Sequence, residues 1–184
     1  AGIGAVAVLP VAYFLAIGFP PPKQQRGAAP PRARFALLKH PIFLFAGLAL
    51  AIQSGMEGMS NDWMTRYFRK VTLSGEHAAE WKTLLGLVAV TAAMVVARLA
   101  LSWLLKRVRS DAVLFSSIGL TAAGALLLAG STAYGTALTA ALLIGAGLAA
   151  AFPIVLSYVG DLFPEQSGTA FGMLFTLALI GNMT

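Results

Sequence analysis

A chain of 184 residues that is 58% hydrophobic and 11% charged, with mean hydropathy +0.80, lacks the polar surface of a water-soluble domain, in which about 25% charged residues is usual. This excludes a soluble enzyme, a disordered tail and a coiled coil, and makes lipid the solvent; at roughly 20 apolar residues per crossing helix the length holds about six spans. The net charge of +6 sits in loops between apolar runs, where orientation in a membrane accounts for it and nucleic acid is not needed as a partner.

In chain order the apolar segments are Ala1 to Phe19, Ile42 to Met64, Thr83 to Leu105, Ala112 to Gly130, Thr136 to Tyr158 and Gly168 to Thr184. They predict an all-α integral membrane protein, a helical bundle of about six transmembrane helices. Helices are required because hydrocarbon leaves backbone N–H and C=O groups no partner outside the segment itself, and the alternation of a membrane β-barrel is absent from the sequence. Gly145, Gly147, Ala149, Ala150 and Ala151 supply the small side chains that favour close helix packing in lipid. The chain opens on Ala1 and closes on Thr184 inside apolar runs. It therefore reads as a fragment of a longer membrane protein, with residues 1–19 the back half of a span. A signal peptide is the poorer reading, since no basic region precedes the run and no small-residue cleavage site follows it.

The connections differ in charge. Residues 20–41 hold Lys23, Arg26, Arg32, Arg34 and Lys39 without an acid, interrupted by Pro20-Pro21-Pro22 and Pro30-Pro31. They read as an extended, solvated linker between residues 1–19 and a bundle over 42–184. The connection at 106–110 adds Lys106, Arg107 and Arg109, and that at 159–167 adds no base. These three loops thus carry eight Lys and Arg against four (Arg66, Arg69, Lys70, Lys82) on the other side. The positive-inside rule places them in the cytoplasm, in a multi-pass protein of the cytoplasmic (inner) membrane.

Within the second segment Gln53, Glu57 and Asn61 recur every four residues and form one polar stripe of a helix. Counted from Ile42, Glu57 lies ~22 Å along the helix, in the outer part of a ~30 Å core. Ionisable groups at membrane depth are functional hypotheses. A poorly solvated carboxyl takes up a proton more readily than a solvated one, so Glu57 can carry a proton in step with substrate. The competing readings are a structural hydrogen bond to a neighbouring helix, or a helix end opening to water near Asp62. Gly55 and Gly58 suit a locally loosened helix beside a binding site. Trp63 fits either the membrane interface or a stacking contact with a ligand ring, and Tyr67 fits the interface.

Arg98 stands in the third segment, ~10 Å from its cytoplasmic end. It can snorkel to the headgroups or pair with Asp161 or Glu165 in the 159–167 loop, and a pair that forms in one conformation and breaks in another is a cytoplasmic gate. Catalytic alternatives fail on the same residues. His40 and His77 fall in loops, away from any serine at membrane depth. Tyr158 occupies the position where an intramembrane aspartyl protease needs the first glycine of Gly-x-Gly-Asp. Without cysteine there is no thiolate chemistry, and neither a metal cluster nor a phosphate-binding glycine loop is present, so no enzyme activity, cofactor or metal is expected. A channel lacks a filter-like repeat or an Asn-Pro-Ala pair, and a non-transporting sensor or scaffold of the same fold remains the alternative to a transporter.

Three stretches carry a resemblance. Ala97-Arg98 through Lys106-Arg107-Val108-Arg109-Ser110-Asp111 is similar to a Gly-Arg and basic-loop motif, with Ala97 in place of glycine and Trp103 where acidic forms carry Asp. Pro164-Glu165-Gln166-Ser167-Gly168-Thr169-Ala170-Phe171-Gly172 looks like a Pro-Glu-x-x-Gly-Thr-Ala-x-Gly helix entry, and Glu57-Gly58 with Asp62-Trp63 completes the set. In this order they resemble the C-terminal half of a transporter of the major facilitator superfamily, in a sugar-permease-like or related branch. The resemblance implies half of a twelve-helix fold: residues 1–19 as part of the sixth helix and 42–184 as the seventh to eleventh. It further implies alternating access together with the missing N-terminal half of the chain, a small-molecule solute as cargo and H+ as the coupling ion. Gln53, Glu57, Asn61, Asp62 and Trp63 are then the substrate and proton-coupling residues, and Arg98, Asp161 and Glu165 the gate. Gly145, Gly147 and Pro153 serve either close packing or a kink at that gate.

Overall fold

The computed structural model describes residue 13 and residues 37–72 and 80–183. Two compact units divide the chain, residues 1–31 and residues 32–184. The expected partial span at 1–19 and most of the 20–41 linker lie outside the described residues, apart from Tyr13, which is helical and exposed.

A 3-10 turn at Leu37–Lys39 leads into α1, Pro41–Thr72. Pro41 suits the first helical position, where its missing N–H removes no intrahelical bond. Next come α2, Glu80–Leu104, and α3, Ser110–Ala129, followed by α4, Tyr134–Leu148, and α5, Ala151–Leu162. A 3-10 turn at Pro164–Gln166 then leads into α6, Ser167–Asn182. No strand occurs among the described residues. The proximal end of the bundle is the one that carries Pro41, Leu104, Ser110, Leu162 and Ser167, and the opposite end is distal.

Three points differ from the sequence reading, one being that residues 159–162, expected in a loop, form the last turn of α5. The second segment does not stop at Met64. It continues as helix to Thr72, because Arg66, Arg69 and Lys70 fall in its last turns, where cations complement the helix dipole and long stems keep the charge near water. The fifth segment is not one regular helix, since the ladder is interrupted at Ala149 and Ala150. Both keep right-handed dihedrals (φ −70°, ψ −35° and φ −91°, ψ −32°), so the chain kinks there without unwinding. Pro153 is the cause: its ring excludes the carbonyl of Ala149, four residues back, and its nitrogen has no hydrogen to donate. In the first turn of α5 that missing donor is tolerated.

Four stretches are long and apolar enough to cross a membrane among the described residues: Pro41–Lys70, Trp81–Leu104, Ser110–Ala129 and the kinked Tyr134–Leu162. Burial in the last is concentrated in α4, where seven of fifteen residues are buried against two of twelve in α5, which makes α4 the centre of the bundle. There α4 lies between α2 and α3, while α1 packs along α6 on one side and α2 on the other. One core joins Met64 and Phe68 of α1 to Val90 and Met94 of α2 and to Ile144 and Leu148 of α4. A second joins Phe43 and Leu50 of α1 to Leu174 of α6, and a third closes the proximal end through Leu101, Val113 and Ile154.

These cores coexist with an apolar exterior. Leu99, Phe115 and Leu126 are each more than 70% exposed, a surface that belongs against lipid. Lipid offers no hydrophobic gain on helix association, so the bundle rests on close van der Waals fit and small residues. Gly145 of α4 shows the fit: a Cβ there would strike the backbone carbonyl of Val90 in α2. Gly181 of α6 meets the backbone of Ala51 in α1 in the same way. Of the two readings of Gly145, packing is the one the contacts support.

Candidate functional site

The polar stripe of α1 supplies the site. Gln53 and Glu57 are half-buried, whereas Asn61, one turn further on, is exposed. Helix packing has receded from the stripe at that level. With α1 running to Thr72, Glu57 lies at its midpoint, ~24 Å from Pro41.

Gln53 donates its Nε2 hydrogen to the carbonyl oxygen of Leu148 at 2.5 Å. Leu148 is the last residue of α4, and at the kink its carbonyl lies where the intrahelical ladder is interrupted. The side chain of one helix thus satisfies the break in another, one recognised way to hold a kink.

Glu57 Oε2 lies 3.8 Å from Arg98 Nη2 of α2, with the side chains 31% and 44% exposed. In this conformation Arg98 therefore faces Glu57, and neither Asp161 nor Glu165 lies within ion-pair distance of it. Helical side chains tilt towards their own N-terminus. In antiparallel helices this sends Arg98 distally and Glu57 proximally, so the two converge, and a contact with Asp161, in the last turn of α5, or with Glu165 beyond it would require Arg98 to turn back along α2. At 3.8 Å the pair is longer than a charge-assisted hydrogen bond of about 2.7–2.9 Å. It is a Coulombic contact with room to open, and Asp161 and Glu165 are both exposed.

The proximal end is tied by residues to which the sequence reading assigned no role. Tyr158 of α5 donates its hydroxyl hydrogen to Asp111 Oδ1 at the start of α3, and Arg109 Nη2 approaches Asp111 Oδ2 at 3.1 Å. Asp111 closes the basic-loop motif and Tyr158 stands one turn before Asp161; the signal for Asp111 was its place in the motif, and nothing local marked Tyr158 as its partner.

Asp62 and Trp63 are exposed and leave the Gln53 and Glu57 face. Trp63 instead borders a pocket of about 640 Å³ between the distal half of α1, the distal end of α3 and Ile144 of α4. The Arg66 guanidinium lies over its ring, 5.5 Å from the centroid. Tyr67 donates to the carbonyl of Leu128 at 2.6 Å, with the Ser131 hydroxyl 2.7 Å away, which ties α1 to the end of α3. Among the described residues no group of three or more His, Asp or Glu side chains is placed to hold a metal ion.

An all-helical bundle with a kinked central helix and a paired acid and base on facing helices fits a membrane carrier, and the sequence matches the model of the Major Facilitator Superfamily over residues 1–184. The chain belongs to this superfamily. No curated protein and no solved structure matches it. As a superfamily member it is a multi-pass membrane transporter protein, and its superfamily moves small solutes across membranes. The motif stretches fall at turns of this superfamily chain: Pro164 to Gln166 form the 3-10 entry to α6, and Leu105 to Arg109 reverse the chain between α2 and α3.

Proposed function

We propose that this protein carries a small solute by proton-coupled secondary active transport through alternating access, with Glu57 as the proton carrier and Arg98 as its counter-charge. The observation that carries the reading is the Glu57 and Arg98 contact at the midpoint of α1, half-exposed and 3.8 Å long. A carboxylate so placed holds the guanidinium while ionised and releases it on protonation. The freed Arg98 can then meet a polar group of the solute, while Gln53 and Asn61 on the same stripe supply neutral hydrogen-bonding groups. Gln53 also holds the kink at Leu148, so movement of α1 that follows the release pulls on the central helix. Tyr158 and Asp111 link α5 to α3 at the proximal end, with Arg109 beside Asp111. In this reading the proximal end faces the cytoplasm of the cytoplasmic membrane, and the bundle rocks against a second one, as alternating access requires.

The test is transport by the full chain in vesicles with an imposed proton gradient. Glu57→Gln abolishes gradient-driven accumulation while solute exchange across the membrane persists. Wild-type accumulation in that variant removes Glu57 from the mechanism, and a wild-type protein that moves no solute under any imposed gradient favours a sensor or scaffold.

A further inference from the structure

The distal pocket lies apart from the Gln53 and Glu57 face, since neither residue lines it, and it has a chemistry of its own. Its volume of about 640 Å³ is that of a small-molecule site. The wall formed by α1 carries Met56, Met59, Trp63 and Tyr67, and the rim carries Arg66 and Lys70. Methionine side chains adapt to apolar bodies of varied shape. Among the described residues no acid lines the pocket, and neither Arg66 nor Lys70 has a carboxylate within ion-pair distance. Their spacing of four residues sets both on one face of α1. The ring of Trp63, 5.5 Å beneath the Arg66 guanidinium, holds that cation in place without neutralising it.

We infer that this pocket binds an amphipathic anion, its carboxylate or phosphate group between Arg66 and Lys70 and its apolar body along Met59 and Met56. Two cations that no described carboxylate neutralises, at the entrance of an apolar cavity, attract such a molecule, and they repel a cationic one of the same shape. The same chemistry is offered by an anionic lipid of the bilayer and by a soluble organic anion. The inference goes beyond proton coupling and does not depend on Glu57.

Equilibrium dialysis of the full chain in phosphatidylcholine nanodiscs tests it, with radiolabelled decanoate as the probe, decanol and decyltrimethylammonium as its neutral and cationic counterparts, and empty nanodiscs as the baseline. Decanoate binds saturably above the baseline. The double variant Arg66→Gln/Lys70→Gln binds it roughly tenfold more weakly or worse, with decanol binding unchanged, while Arg66→Lys/Lys70→Arg keeps the wild-type affinity. Loss of decanoate binding on adding phosphatidylglycerol to the nanodiscs assigns the site to an anionic lipid, and undiminished binding assigns it to a soluble anion. The inference is overturned if decyltrimethylammonium binds as tightly as decanoate, if removing both charges leaves decanoate binding unchanged, or if nothing binds above the empty nanodiscs.

Discussion

Arg98 has two acids within reach of a sequence-level argument and a third that it actually meets, and the difference comes from the direction in which helical side chains lean. The 3.8 Å contact with Glu57 predicts an energetic coupling between these two positions and none between Arg98 and Asp161. For a partly exposed pair the coupling is about 0.5–1 kcal/mol. A double-mutant cycle with Glu57→Gln and Arg98→Gln, read from thermal unfolding of the purified protein, measures it. The charge swap Glu57→Arg with Arg98→Glu restores more stability than either change alone, and additive losses would remove the pair. Gln53 makes a second residue-scale case. Gln53→Leu withdraws the donor from the Leu148 carbonyl and costs about 1 kcal/mol, the scale of a hydrogen bond between helices in a membrane protein. The stripe itself was legible from its spacing of four. What each member touches was not, because the partners lie on helices remote in the chain.

The five apolar runs that fall within the described residues were legible as helices, the run at 136–158 appearing as both α4 and α5, and most of their limits follow from Gly, Pro and charge. The kink needed more. Pro153 marked a place where one could occur, yet Pro in a first turn is equally compatible with a plain helix start. Only packing against α1 shows the interrupted ladder being completed by Gln53. Pro153→Ala combined with Gln53→Leu therefore lets the ladder close, and amide hydrogen exchange at residues 149–152 slows relative to wild type. Unchanged exchange would mean that neither residue maintains the break. Gly145 belongs to the same scale. Gly145→Ala forces a Cβ into the Val90 carbonyl and costs about 1–3 kcal/mol, as overpacking does. Gly135→Ala in the same helix meets nothing within 4 Å and stays within about 0.5 kcal/mol of wild type. Equal effects of the two substitutions would show that the α2 and α4 crossing is not close.

For the molecule as a whole, the excess of Lys and Arg in alternate connections predicts sidedness. Residues 1–184 hold no cysteine, so single replacements there report cleanly. A membrane-impermeant maleimide labels Thr132→Cys at the distal end of intact cells and reaches Lys106→Cys only after permeabilisation; the opposite pattern inverts the topology. Composition determined the solvent and the helical class, because the burial of backbone polar groups in lipid leaves few solutions; of the about six spans it suggested, four stretches long and apolar enough to cross a membrane lie among the described residues. The motif order determined the superfamily. Tertiary structure alone decided that Arg98 turns to Glu57, that Tyr158 closes on Asp111, and that Arg66 and Lys70 crown an apolar pocket. Each of these depends on which helix faces which and at what height, and a contact between helices distant in sequence leaves no periodicity in either one.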